Sequence, residues 1–290
     1  MGPLRGPVLL LSPDGMLGRA WLELLRNRDI PFAEADRFVV DLTNRETVER
    51  ILDPKYRWVI NCSAWTDVDG AETNEALATA INGTGVGWLV DRCRRIGASL
   101  LHYSTDYVFR GRASRPYATT DPHDPTNAYG RSKAVGERYV IESDLSHITV
   151  RTSWLYAPWA KNFVRTIARL GQERSSVRVV DDQRGTPTSA EHLARTSLAL
   201  MERDCASPGL DGVFHVTDGG ECSWFEFARA ILDATKSPCR VEPCTTDEFP
   251  RPARRPAYSV LDVSKATRQV GPFPSWQVNL AGVIAALEPV

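Results

Sequence analysis

Lysine is the scarce cation of this chain: 5 of its 35 basic side chains are lysine and the other 30 are arginine. Arginine offers a rigid fork to phosphates and carboxylates, whereas lysine is the base whose pKa a protein tunes readily. Each of the five lysines therefore carries weight where it stands near another reactive group. Charge of one sign is lacking as well, since 36 acidic side chains leave a formal net charge of −1. That balance argues against nucleic acid or an anionic membrane as a partner. Long apolar runs are also missing. No stretch approaches the roughly 18 residues of a membrane span, and Val8–Leu11, soon followed by Asp14, is too short for a signal-peptide core. Gly2 is followed by Gly6 where a myristoylation signal requires Ser or Thr, so no lipid anchor is expected.

Paired cysteine motifs are absent too. Cys62, Cys93, Cys205, Cys222, Cys239 and Cys244 include no CxxC, and no His or Cys completes a metal set around Cys239 and Cys244. Reduced, mostly buried thiols, no metal and a cytoplasmic location are expected. What is present is ordinary for a globular chain: 290 residues, 42% hydrophobic and 24% charged, which excludes extended disorder. The length suits one large α/β domain or two modest ones.

Short β-rich runs alternate with helical patterns through the first half. Strands are expected at Val8–Leu11, Arg37–Val40, Trp58–Cys62, Ser99–Tyr103 and His147–Thr152. Helices are expected at Leu17–Leu25, Thr43–Leu52, Glu75–Ile96 and Tyr129–Glu142, with a loop at Pro122–Asn127. This spacing predicts an α/β fold with a doubly wound parallel sheet, the Rossmann architecture. After residue 155 the pattern loosens into helices at Asn162–Leu170, Ala190–Met201 and Trp224–Ala234, strands at Val177–Val180 and Val213–Val216, and a Pro/Arg loop at Phe249–Pro256. A dinucleotide-binding domain is expected over residues 5–155, with 186–217 returning to it. Residues 156–185 and 218–290 form a smaller substrate-binding lobe, leaving a cleft at the carboxyl end of the sheet.

The first strand–turn–helix passage carries Ser12-Pro13-Asp14-Gly15-Met16-Leu17-Gly18. Gly15 and Gly18 are spaced for close backbone approach to a pyrophosphate and tight helix–strand packing. Ser12 stands where the first glycine of a GxxGxxG pattern is expected, and serine makes this turn with a negative φ. Asp36 lies where an acid would hold a ribose hydroxyl of NADH, while neighbouring Arg37 would take the 2′-phosphate of NADPH. The two argue in opposite directions, so the cofactor is either.

Ser104-Thr105-Asp106-Tyr107 follows the fourth strand directly. Tyr129 and Lys133 then stand four apart at the start of a helix, with both side chains on one face. In a chain with 8 Tyr and 5 Lys, chance supplies only about 0.14 such pairs, so the pairing carries information. A tyrosine, of ordinary pKa near 10, serves as an acid–base only if its phenolate is stabilised, and a nearby ammonium does that. Thr105 can donate a hydrogen bond to the same carbonyl oxygen. A catalytic set of Thr105, Tyr129 and Lys133 for reducing a ketone follows, with Lys133 also holding the nicotinamide ribose.

With these residues in view, the chain resembles the extended short-chain dehydrogenase/reductases, and most closely the dTDP-4-dehydrorhamnose reductase family. The resemblance runs over nearly the whole length. It rests on Asp41-Leu42-Thr43, on Asn61 to Asp69, on Asn82, on His102 to Phe109, on Tyr129-Gly130 with Ser132-Lys133, and on Gly136-Glu137. It continues through Arg151 to Tyr156, Asn162-Phe163, Pro187-Thr188 and Arg251 to Pro256. The resemblance implies reduction of the C4 ketone of a dTDP-linked 6-deoxyhexose. It further implies cofactor contacts from Gly15, Gly18, Asp41, Leu42, Ser63, Ala64 and Lys133, which join Ser12, Met16, Leu17, Asp36, Arg37 and Tyr129 as the candidate cofactor contacts. Substrate contacts are implied for Thr66, Val68, Thr105, Trp154, Asn162 and Arg254.

Departures accompany the likeness. Gly70 replaces a frequent Lys and Tyr258 a usual Asn. Ala20 replaces one of the glutamates through which some relatives dimerise around a metal, leaving Glu191 in an incomplete set; a homodimer without a metal is compatible with this. Two alternatives stand beside the leading one: a reductase of another nucleotide-linked 4-keto sugar, and a non-catalytic regulatory subunit resembling the methionine adenosyltransferase β subunit.

Overall fold

Val8-Leu9-Leu10-Leu11 form β1 (Val8–Leu11), buried along its whole length as a strand covered on both faces must be. In the computed structural model, which describes residues 4, 6–206 and 209–287, this strand is the hinge of the topology. The expected domain edge at residue 5, the final residues 288–290 and Gly2 lie outside the described residues. α1 (Met16–Asn27) buries Leu17, Trp21 and Leu25 at helical spacing. β2 (Phe32–Ala35) pairs with β1 on one side. α2 (Arg45–Ile51), capped by the Asn44 side chain, brings the chain back to β3 (Trp58–Asn61) on the other side of β1. α3 (Val68–Thr73) and α4 (Glu75–Thr79) lead through a π turn at 80–84 into α5 (Gly85–Ile96). β4 (Ser99–Thr105), α6 (Ala128–Ile141) and β5 (His147–Thr152) extend the sheet.

Beyond β5 the chain alternates between this sheet and a second cluster. β6 (Leu155–Tyr156), α7 (Phe163–Glu173), β7 (Ser176–Val180), β8 (Arg184–Gly185) and β9 (Thr188–Ser189) precede α8 (Ala190–Ala206), which packs on α1. β10 (Gly212–His215) joins the main sheet beside β5. β11 (Cys222–Ser223), α9 (Trp224–Ala234), β12 (Arg240–Cys244), α10 (Ser264–Val270) and α11 (Trp276–Ala285) follow. The main sheet runs β10-β5-β4-β3-β1-β2, and all its strands are parallel. Helices cover both faces over two separate apolar layers, giving the doubly wound fold. A third apolar cluster, built on Tyr156, Val164, Phe227, Ile231 and Trp276, draws its buried residues from the chain beyond residue 155.

Three expectations need correction. The second strand lies at Phe32–Ala35, not Arg37–Val40. Phe38 and Val39 have strand-forming side chains, but Asp36 accepts both of their backbone N–H groups and curls the segment into a turn, leaving Phe38 81% exposed. Ser12 has φ +59° rather than the negative value its residue type favours. The long helix expected at Glu75–Ile96 is interrupted by its π turn, and β12, α10 and α11 were not foreseen.

Candidate active site

Strand order reverses at β1: its successors β2 and β3 lie on opposite sides of it. The loops leaving the carboxyl ends of β1 and β3 therefore diverge and open a crevice between them. The Ser12–Gly18 turn leaves β1 at this point. Gly18 packs so closely that a Cβ there would lie 1.8 Å from the Ser12 carbonyl oxygen. Gly15 caps α1 without a side-chain hydrogen bond, and the first helical turn holds no acidic residue. Its N–H groups, those of Met16 and Leu17 among them, are thus left to an external anion, and the cradle fits the diphosphate of a dinucleotide. Asp36 follows β2 with Oδ1 turned onto its own loop, 2.9 Å from Phe38 N. The Arg37 guanidinium lies over the Phe38 ring. Asp41 likewise accepts from Thr43 N at 2.8 Å, and the Leu42 side chain is core, leaving its backbone as the part able to meet a ligand. Ser63 N is held by Asn61 Oδ1 at 3.0 Å, which shapes the loop carrying Ser63 and Ala64 beside the crevice.

Thr105 ends β4, and α6 brings Tyr129 and Lys133 against it. Thr105 Oγ1 donates to Asp106 Oδ1 at 2.9 Å and accepts from Tyr107 N at 3.2 Å, capping a short helical turn. Tyr129 is half-buried, with its ring edge-to-face to Tyr107 at 5.9 Å. Burial, then the charge of Asp106, push its phenol above the ordinary range, while hydrogen bonding by Thr105 pulls it back. Lys133 is buried and donates from Nζ to the Tyr103 carbonyl oxygen at 2.6 Å. Burial brings its pKa down to about 8, opposed by the charge of Glu137. Asp106 is pushed up to about 6 by burial. Asparagine at the π turn completes the frame: Asn82 accepts from Trp65 N at 2.9 Å and donates to Trp65 O and to Ser132 Oγ, tying the loop after β3 to α6. Although Asn82 belonged to the resemblance, nothing in the sequence assigned it this part; π turns often mark such places.

Across the crevice, Thr66 is exposed and Val68 half-buried at the start of α3. Trp154, just beyond β5, has φ +46°, a true outlier for so bulky a residue. It stacks on Trp224 with centroids 3.6 Å apart, and Gly185 leaves room for its indole. Trp224 was not foreseen, because its place depends on a lobe contact 70 residues away along the chain. Asn162 caps α7, and its amide donates to Ala157 O, Trp159 O and Ala160 O, so its side chain is committed to this turn. Loop 251–256 is moored at its start by Arg251, 3.4 Å from Asp69, and again near its end. Arg255 binds Asp69 at 2.7 Å, and the Arg254 carbonyl accepts from Asn127 Nδ2 at 2.9 Å, while the Arg254 side chain stays exposed. Glu191 pairs with Arg195, and among the described residues no group of His, Cys, Asp and Glu could hold a metal. No helix of the described residues is long and apolar enough to cross a membrane.

A family model described as RmlD substrate binding domain matches residues 6–288. A dTDP-4-dehydrorhamnose reductase from Burkholderia thailandensis is 39% identical over 289 residues, covering 93% of this chain and 95% of that one. A dTDP-4-keto-6-deoxy-D-glucose reductase from Streptomyces niveus is 39% identical over 278 residues, covering 94% of each. Among solved structures, a dTDP-4-dehydrorhamnose reductase from Bacillus anthracis in complex with NADP superposes with a TM-score of 0.91. It is 35% identical, with 97% of this chain and 99% of that one covered.

Proposed function

The chain belongs to the RmlD substrate binding domain family, and from that premise we propose that it reduces the C4 ketone of dTDP-4-dehydro-L-rhamnose to dTDP-L-rhamnose. The observation that carries the reading is the meeting of Thr105, Tyr129 and buried Lys133 at the carboxyl end of β4, on the same edge of the sheet as the phosphate turn. A bound NADPH or NADH supplies the hydride, and the protein supplies position and a proton. Tyr129 gives its phenolic proton to the oxygen that becomes an alkoxide. The ammonium of Lys133 lowers the cost of the phenolate left behind and holds the nicotinamide ribose. Thr105 orients the carbonyl oxygen, its own hydroxyl set by Asp106. Thr66, Val68 and Trp154 line the sugar side, and the exposed Arg254 side chain on loop 251–256 meets the nucleotide. Residues 6–155 with 186–217 form the cofactor domain, supported by β10 pairing with β5. Residues 156–185 and 218–287 form the substrate lobe. Six free cysteines support the cytoplasm as the compartment.

A second reading, reduction of another nucleotide-linked 4-keto sugar, is favoured by the Streptomyces niveus relative, equal in identity to the first. The third, a regulatory subunit without activity, has against it the assembled Thr105–Tyr129–Lys133 group. Purified protein with NADPH and either dTDP-4-dehydro-L-rhamnose or dTDP-4-keto-6-deoxy-D-glucose separates the three. Faster oxidation of NADPH with the first substrate is expected. Preference for the other would establish the second reading, and NADPH binding without turnover on either would overturn both enzymatic ones.

A further inference from the structure

Glu137 is fully buried one helical turn after Lys133, on the same face of α6. Its Oε1 accepts from Arg151 Nε at 2.8 Å, from Arg151 Nη2, and from His123 Nε2 at 2.9 Å. Arg151, itself buried on β5, also donates to the Thr119 carbonyl oxygen at 3.1 Å. The second carboxylate oxygen, Oε2, is buried and has no partner. Lys133 has three N–H donors and spends one, on Tyr103 O. Stability alone does not demand such an ion pair, because well-packed apolar side chains of similar volume serve as well or better. Its position relative to Lys133 suggests another use.

The other groups packed around the two cannot replace it. His102 and the Tyr103 carbonyl face Lys133 from β4, the Tyr103 phenol being turned to Trp21 on the other face of the sheet. Tyr129 lies one turn before Lys133 on α6, and His147 and Arg151 stand on β5. His215 on β10 lies 3.4 Å from Arg151 Nη1, and His123 comes from the loop before α6. Burial, and then the Lys133 charge, hold His102 well below its ordinary pKa, and burial with Arg151 brings His215 down to about 3. Both are therefore neutral near pH 7. Glu137 is the one anion among these groups acting on the Lys133 proton.

We propose that Glu137, fixed in place by Arg151, is a positioning residue that keeps the Lys133 ammonium charged in a pocket closed to water. The proposal rests on the role given above to Lys133 beside Tyr129. Arg151 holds the carboxylate, the carboxylate holds the proton on Lys133, and the charged Lys133 supports the Tyr129 phenolate as it forms.

The test is kcat against pH for wild type, Glu137→Gln and Glu137→Asp, with thermal melting of each. Glu137→Gln is expected to move the alkaline limb down by about one pH unit or more. At pH 8, where wild-type Lys133 is about half protonated, its kcat then falls about five-fold or more relative to wild type, with KM little changed. Glu137→Asp is expected to recover part of the shift. If Glu137→Gln fails to fold, because it leaves Arg151 buried without a counter-charge, the double variant Glu137→Gln/Arg151→Met removes both charges. The same displacement is expected of it. A folded variant, even one with a lowered melting temperature, whose alkaline limb coincides with that of wild type would overturn the proposal. Failure of wild type to turn over any nucleotide-linked keto sugar would instead overturn the reading of Lys133 beneath it.

Discussion

Serine 12 holds a backbone conformation that glycine adopts freely and an L side chain resists, at φ +59°. Its N–H bonds Ala35 O and its carbonyl accepts from Gly15, so the turn imposes the conformation. Ser12→Gly is expected to raise stability by roughly 1 kcal/mol, less whatever glycine gives back through the unfolded chain. Its Kd for NADPH should be unchanged or lower, as read by a fluorescence titration beside a melting curve. Weaker binding would mean that the hydroxyl itself holds the cofactor. Trp154 carries the same kind of strain, offset by its stack on Trp224. Neither conformation is written in local residue preferences, which favour negative φ for both. Tyr129 and Lys133 were legible for the opposite reason: a helix brings residues four apart to one face whatever surrounds it. The Glu137–Arg151 pair was not, because only the packing of α6 on β5 brings it together.

At the scale of elements, α6 gathers most of the site. Asn127 Oδ1 accepts from Gly130 N at 2.8 Å as the cap, Nδ2 holds loop 251–256, and Glu72 accepts from Ala128 N at 2.8 Å. Asn127→Ala loses both functions and should cost about 1 kcal/mol of stability while raising KM for the nucleotide sugar. Asn127→Asp keeps the cap but cannot donate to Arg254 O, so KM should rise with little loss in melting temperature. Equal KM in the two variants and wild type would free the loop of any part in binding. The sheet was legible because β1 is a continuous apolar run and Trp58-Val59-Ile60 of β3 another. β2 was misplaced because an edge strand draws its definition from its partner β1, and Phe32-Ala33-Glu34-Ala35 is half-exposed and weakly patterned. The two-residue strands β6, β8, β9 and β11 pair over distances that leave no local pattern.

Across the whole molecule, buried titratable groups set the response to acid. His215 stays neutral in the folded chain down to about pH 3, through burial first and Arg151 second, whereas an unfolded histidine takes its proton near 6.5. The unfolded state therefore binds more protons between these values, and stability falls as pH drops through that window. His192, brought to about 4 by burial, acts in the same direction. Asp106 and Asp218, raised to about 6 and about 7 by burial, act in the other as pH falls toward the ordinary carboxylate range. His215→Gln removes one contribution cleanly. Its melting temperature relative to wild type should rise as pH falls from 7 to 4, and a constant difference would contradict this. The doubly wound class was readable from alternation alone; beyond residue 155 only the loosening of that pattern was, since the third apolar cluster joins Tyr156, Phe227 and Trp276 from distant segments.

The central claim is that Tyr129 delivers the proton as the ketone is reduced. Wild type and Tyr129→Phe, compared at saturating NADPH and dTDP-4-dehydro-L-rhamnose, test it most directly. The variant should lose about 10²- to 10⁴-fold in kcat while its Kd for NADPH stays near that of wild type. Equal turnover by the two proteins would contradict the account.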